Sequence, residues 1–406
     1  GDGGEKRGGG DIGPDNSYAF DRGETGTGND ILNGGSGNDY LFGGDGVDTL
    51  TGGIGDDIVD GGLGDDFLYG NDGADTFAID GNDIAEGGAG NYQFYVYAAT
   101  SYAISGGIGT DTLDLNRMTA GVTMTIGEAS ISGIEWVHGT AFADVLTVST
   151  SGYELINRTL HGNGGNDNIT GGLGNDVINA GADDDIVDGG GGNDMINAGT
   201  GNDVVNGGEG ADNIVGDTGS DTLRGGNGND TISGGGSIVS TSDIILIYGE
   251  DGNDWLTLQS ASAASLSDGG SGDDVLYVAG EGTVVAVDRL IGGSGLDTLL
   301  VSSGVVTGDF TLLESDFEQV ISYRADDAAN ILDFRGSMAI PFLGSPGSSA
   351  VIAYGGGGDD RIIGTDPVEW PGDTLYGDAG DDIIDGLGGG DQIYGGEGDD
   401  QLNGGA

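Results

Sequence analysis

The sequence contains no cysteine, so no disulfide staples it and no thiolate site exists. Positive charge is scarce: 10 Lys plus Arg stand against 69 Asp plus Glu, a formal charge of -59. That balance argues against nucleic acid and anionic membrane as partners. It also opposes compaction through self-repulsion. No apolar run approaches the roughly 18 residues of a membrane-crossing helix, so no transmembrane segment is expected. Histidine occurs only as His138 and His161. Neither H-E-x-x-H nor G-x-S-x-G is present, which excludes the zinc-protease and serine-elbow signatures, and no enzyme activity is expected. His161 reads as a cap or surface residue, and His138, close after Trp136, as packing. The chain starts at Gly1 without an initiator Met or a basic-then-apolar leader. It stops at Gly404-Gly405-Ala406, the opening of another repeat. Both ends read as cut edges of a longer polypeptide.

What is abundant is glycine, 92 of 406 residues, and each glycine costs extra backbone entropy on folding. Charge and glycine alone describe a disordered chain. Yet 35% of the residues are hydrophobic, too many for an entropic linker. Something must neutralise the acid so that the apolar residues can be buried, and divalent cations are the simplest candidate.

A nine-residue period supplies the answer. From Gly34 the chain reads GGSGNDYLF, GGDGVDTLT, GGIGDDIVD, GGLGDDFLY. Asp30, Asp39, Asp48, Asp57, Asp66 and Asp75 fall one period apart. Two residues after each stands an apolar side chain: Leu32, Leu41, Leu50, Val59, Leu68, Phe77. A second array carries Asp167, Asp176, Asp185, Asp194, Asp203, Asp212, Asp221 and Asp230, each again two residues before Ile, Val or Leu. A third carries Asp360, Asp382, Asp391 and Asp400, and single copies lie at Asp111, Asp254, Asp274 and Asp297. The pattern G-G-x-G-x-D-x-U-x resembles the repeats-in-toxin (RTX) calcium-binding nonapeptide family over roughly half of the chain. The resemblance implies an all-β fold: a parallel β-roll or β-solenoid with calcium-binding turns, two nonapeptides per coil, and each ion between loops one coil apart.

The residue types suit that chemistry. The GGxGxD half must turn sharply and offer oxygens, and glycine reaches left-handed angles without a Cβ clash. Calcium takes six to eight oxygens at roughly 2.3–2.6 Å in flexible geometry, more than one loop supplies, so two stacked loops must share it. Magnesium demands tighter octahedral geometry and should compete poorly. The xUx half reads as a very short strand with its central side chain inward. About twenty divalent ions would bring the charge from -59 to about -19. Some copies put Asn71, Asn163, Asp217, Glu250, Asp378 or Leu387 at the second glycine, and one has Asp183 at the fourth position. Asn and Asp tolerate a left-handed backbone better than Glu or Leu. Tyr92 stands where an aspartate belongs, which leaves that turn without a metal site. The pairs Asp359–Asp360 and Asp381–Asp382 mimic a hydrolase dyad, but their repeat position makes them calcium loops.

The segments follow: residues 1–24 a linker, 25–95 a first array, 96–161 a degenerate β-solenoid or β-domain insert, 162–236 a second array, 237–300 interrupted coils, 301–354 a β-rich insert ending near Pro341 and Pro346, and 355–406 a third array. FYVYAATSYAIS and VTMTI read as strands. GTAFADVLT keeps Asp144 and Leu146 at repeat positions without the glycines. The inserts read as wider coils first and separate β-domains second.

The residue after each repeat aspartate should face outward, yet is often apolar, as at Ile31, Tyr40, Ile58, Phe67, Val177, Ile186, Met195, Val204 and Trp255. It serves either strand propensity or a lateral contact surface. Two functions fit. One is a secreted or cell-surface structural protein (S-layer, filament or adhesin segment) that rigidifies on calcium and associates with itself or with neighbouring surface proteins. The other is the calcium-folding, secretion-assisting module of a larger toxin or hydrolase. The resemblance implies type I export of the unfolded chain, with a secretion signal beyond Ala406.

Overall fold

In a computed structural model, the described residues are 7–8, 20–22, 28–98, 103–128, 130–151, 155–235, 243–259, 265–279, 289–295, 297–301, 310–311, 319–324, 331–333, 350–364 and 372–405. They form an all-β parallel β-solenoid, with strands and turns but no helix. Two compact units divide at Val187/Asp188.

In the first unit, every second nonapeptide pairs parallel with its counterpart 18 residues on. Ile31–Ser36 lies beside Thr49–Ile54, and that beside Phe67–Asp72. The alternate repeats build a second sheet from Tyr40–Asp45, Ile58–Leu63 and Thr76–Asp80. The strands are longer than the xUx reading: Ile31–Ser36, Tyr40–Asp45 and Thr49–Ile54 each run six residues, through the two following glycines. Gly35 pairs with Gly53 and Gly44 with Gly62, because the glycine backbone bonds the next coil even without a side chain to pack.

Alternation along each strand points the U residue inward. The result is a single-file core: Leu41, Val59, Phe77, Phe94, Leu113, Val137, Leu160 and Ile178 stack coil upon coil. All are buried. Between Phe77 and Leu160 this row passes through the segment read as degenerate, and the sheet does not break. The coils widen instead. Thr112 pairs with Trp136 and Trp136 with Thr159, steps of 24 and 23 residues, the excess bulging between strands. Val145–Val148 from GTAFADVLT joins Thr123–Ile126 and Asn168–Gly172.

The second unit repeats the plan. Ile196, Ile214, Ile232, Leu256, Leu276 and Leu299 form one inward row, and Val205, Leu223 and Ile247 another. Within 301–354, strands Gln319–Arg324 and Ala350–Tyr354 continue the parallel pairing toward Thr374–Ala379. Pro341 and Pro346 lie outside the described residues. From the expected linker, Arg7–Gly8 and Phe20–Arg22 pair parallel with Ile31–Leu32 and Tyr40–Phe42, and the rest lies outside the described residues.

Candidate metal centres

Each nonapeptide leaves its strand at the third variable residue and must reverse within Gly-x-Asp. Here the three glycines separate into two kinds. The second and fourth take left-handed φ, as at Gly35 (96°) and Gly37 (114°). Seven other residues among those described share that region: Asn71, Asn163, Asp183, Asp217, Glu250, Asp378 and Leu387, at φ 65–79°. These are the seven substituted copies, Glu250 and Leu387 included, so the repeat imposes the turn even on residues that resist it. The first glycine is different. Its φ is ordinary, but a Cβ on Gly34 would lie 2.6 Å from Asp39 Oδ2 and 2.7 Å from the Gly52 carbonyl oxygen, one coil on. On Gly216 it would lie 2.6 Å from Asp221 Oδ2 and 2.9 Å from the Gly234 carbonyl. The first glycine leaves open a cradle where a carboxylate and a carbonyl from the next coil converge. Two copies carry alanine there, Ala180 and Ala198, both fully buried.

Of the 22 predicted aspartates, 19 are buried; Asp30, Asp391 and Asp400 are half-buried. Their two oxygens have separate tasks. Oδ1 accepts a backbone N–H from the coil before. Asp39 N–H donates to Asp57 Oδ1 and Asp57 N–H to Asp75 Oδ1, both at 2.8 Å. In the second unit, Asp194, Asp212, Asp230, Asp254, Asp274 and Asp297 form one such ladder, and Asp360, Asp382 and Asp400 another. Oδ2 is left over. In Asp39, Asp48, Asp57, Asp66, Asp75, Asp111, Asp167, Asp212, Asp221, Asp230, Asp254, Asp274, Asp382 and Asp391 it is buried and accepts no hydrogen bond. A buried carboxylate oxygen without a partner is costly, and here the cost recurs in register. Loss of water pushes Asp57, Asp167, Asp221 and Asp230 up to about 7, and Asp66, Asp111 and Asp254 up to about 6. The backbone N–H bonds only partly oppose that rise.

A second ladder, which the sequence reading missed, runs along the outside. The residue before each aspartate bonds in the opposite direction. Val47 N–H donates to Asn29 Oδ1, Asp56 N–H to Asn38 Oδ1 and Ala74 N–H to Asp56 Oδ1. The frequent Asn-Asp and Asp-Asp pairs are thus two oppositely directed staples. In the pair Asp381–Asp382, Asp381 accepts the Asp399 N–H and Asp382 the Asp360 N–H, in opposite directions along the stack.

Further aspartates occupy the same inner position. Asp83 accepts from Asp66 N–H, 17 residues away, a one-residue deletion hiding it from a strict period. Asp144 accepts from Val122 N–H. Asp373 accepts from Val351 N–H and lies nine residues before Asp382, a signal masked by the missing glycines ahead of it. Tyr92 fills its own turn. Its ring lies against Gly87, in the space the metal cradle takes elsewhere, and its hydroxyl donates to the Asn71 carbonyl. His161 is not a cap: it stacks on His138 with ring centroids 4.8 Å apart, in adjoining strands.

The donor set is entirely oxygen. No three His, Cys, Asp or Glu side chains converge on one point among the described residues. The array turns instead offer a buried carboxylate oxygen and a carbonyl from the next coil, oxygen donors of the kind a hard, flexible cation such as Ca2+ takes.

These are the turns of a repeat solenoid built to hold cations between its coils. The RTX calcium-binding nonapeptide repeat model matches residues 18–50, 51–79, 161–196, 188–223, 206–237, 246–259, 347–366 and 376–406. Together these are half of the chain, and the chain belongs to that family. No curated protein matches the sequence. A solved structure, a hyperactive, Ca2+-dependent, β-helical antifreeze protein from an Antarctic bacterium, is 18% identical. The alignment covers 87% of this chain and 83% of that one, with a TM-score of 0.23, and nothing is inferred from it.

Proposed function

We propose that this chain is a non-catalytic, extracellular structural protein, a surface-layer, filament or adhesin segment, that folds and assembles when calcium fills its turns. The observation that carries the reading is the buried Oδ2 that recurs through the arrays, as at Asp39, Asp48 and Asp221, close to the carbonyl of the next coil. Under this reading the repeat aspartates are the charged ligands, and carbonyls such as Gly52 O join the donor set; Asp83 and Asp144 differ, since their Oδ2 already accepts the Asp80 and Thr140 N–H. When bound, calcium supplies the positive charge that the 69 acidic residues lack internally and joins oxygens of consecutive coils. The Oδ1 ladder holds each carboxylate in place, and the first glycine keeps its approach clear.

Secretion is supported by the family; among the described residues no helix is long and apolar enough to cross a membrane. Self-association is supported by the outward apolar side chains, among them Ile31, Met195 and Ile186, each more than half exposed. Electron microscopy of the chain in millimolar calcium, beside a chelated control, tests the assembly. Ordered sheets or fibres that appear only with calcium support it. Particles that stay isolated at high protein concentration refute it and favour the module of a larger secreted toxin or hydrolase.

A further inference from the structure

One inner position in the first unit does not fit a metal. Arg158 stands nine residues before Asp167, 18 before Asp176 and two before the buried Leu160, where the repeat calls for aspartate. Its backbone behaves as the repeat requires: the Arg158 N–H donates to Asp176 Oδ1 at 2.6 Å. The side chain does not leave for solvent. Arg158 is 3% exposed.

The guanidinium has taken a particular place. Nε donates to the Ile134 carbonyl at 3.3 Å and Nη1 to the Ile156 carbonyl at 3.4 Å, both long bonds. Nη2 would lie 3.4 Å from a Cβ on Gly127. The positive charge also acts on the Asp176 carboxylate one coil on. The array turns offer an ion a carboxylate and a carbonyl of the next coil; here a cation carried by the chain lies among carbonyls of its own coil and the coil before, with the next coil's Asp176 carboxylate beside it. A guanidinium carries donors only, so it cannot ligate a metal, and its charge repels one. It keeps that charge at any accessible pH. A buried cation persists only when paired and hydrogen-bonded, and these partners meet that condition.

We infer that Arg158 is a built-in cation that takes the place of calcium at this one turn, so that strands Trp136–His138 and Thr159–Gly164 stay paired there without metal. The stretch then holds its parallel pairing at calcium concentrations too low for the array turns.

Hydrogen exchange of the full chain, read by mass spectrometry across buffered calcium, tests this. Peptides spanning 131–138 and 155–162 should gain protection at calcium roughly tenfold or more below the midpoint of peptides spanning 39–48 and 203–214. Arg158→Asp should move the first midpoint up to the array value and add one bound calcium per chain by elemental analysis. The inference is overturned if the two sets of wild-type peptides gain protection at the same calcium concentration. It is also overturned if Arg158→Asp folds in calcium with midpoint and ion count unchanged. Should Arg158→Asp fail to fold at any calcium concentration, the wild-type comparison decides alone. These readouts do not depend on assembly, so they can fail while the proposed function stands, and the reverse.

Discussion

At the scale of single residues, the division of labour within each carboxylate is the point to test. Asp57 Oδ1 accepts the Asp39 N–H, while its Oδ2 faces the cradle. Asp57→Asn keeps an acceptor for the N–H but gives up the anionic ligand. Asp57→Ala loses both. Each variant should bind one calcium fewer than wild type by elemental analysis. The alanine variant should lose a further 1–3 kcal/mol or so, the usual cost of a buried N–H left unmet, seen as a lower melting temperature in saturating calcium. Equal melting temperatures would remove the Oδ1 ladder from the account. The first glycine makes a second test. Ala180 and Ala198 put a methyl group where Gly34 has none. The turns of Asp185 and Asp203 should therefore be the weaker sites. Ala180→Gly should tighten calcium binding and Gly34→Ala should loosen it, both read by calorimetric titration.

At the scale of strands and coils, stability rests on rows rather than on a broad core. Each inward side chain packs against its own row, one above and one below. Leu68 lies between Leu50 and Ala85 and is fully buried. Leu68→Ala should cost about 2–5 kcal/mol, the range for a leucine truncated in a close-packed site. Because folding and calcium binding are coupled, the loss should also appear as a higher calcium concentration at the folding midpoint. Far-UV circular dichroism during a calcium titration measures it. Stacked aromatic rows, such as Tyr354, Tyr376 and Tyr394 at 4.6–4.7 Å, follow from the same geometry, because equivalent residues lie one strand spacing apart.

For the whole molecule, charge decides the outcome. Burial raises inner carboxylates such as Asp57, Asp66 and Asp167 to about 6 or 7 from an ordinary value near 3.9. Between those limits the metal-free folded chain holds more protons than the unfolded chain. Its stability must therefore fall as pH rises from about 4 to about 7, and the full penalty applies above that. Acid should substitute for calcium in part. The metal-depleted chain should show more strand signal at pH 4 than at pH 8, while millimolar calcium should restore the signal at pH 8. Protons and metal compete for the same oxygens, so calcium affinity should weaken as pH falls below about 7. Identical spectra at pH 4 and pH 8 without metal would show that carboxylate burial does not limit folding.

The nonapeptide period by itself determined the inward row from Leu32 onward, the recurring aspartates and the left-handed turns at the Asn and Asp substitutions, while the parallel solenoid was what the resemblance to the family implied. Each depends on residue type at a fixed spacing, which local physics reads directly. Tertiary structure decided the rest. Which carboxylate oxygen stays available depends on the N–H of a neighbouring coil. Asp83 and Asp373 join the Oδ1 ladder through coil-to-coil pairing although spacing or missing glycines hide them. The degenerate stretch stays in the sheets because Phe94, Leu113 and Val137 still stack inward while the added residues bulge between strands. Arg158 and Tyr92 occupy the metal's place only because a second coil brings carbonyl oxygens to them, and a linear period cannot express a contact that exists only once the chain has come round on itself.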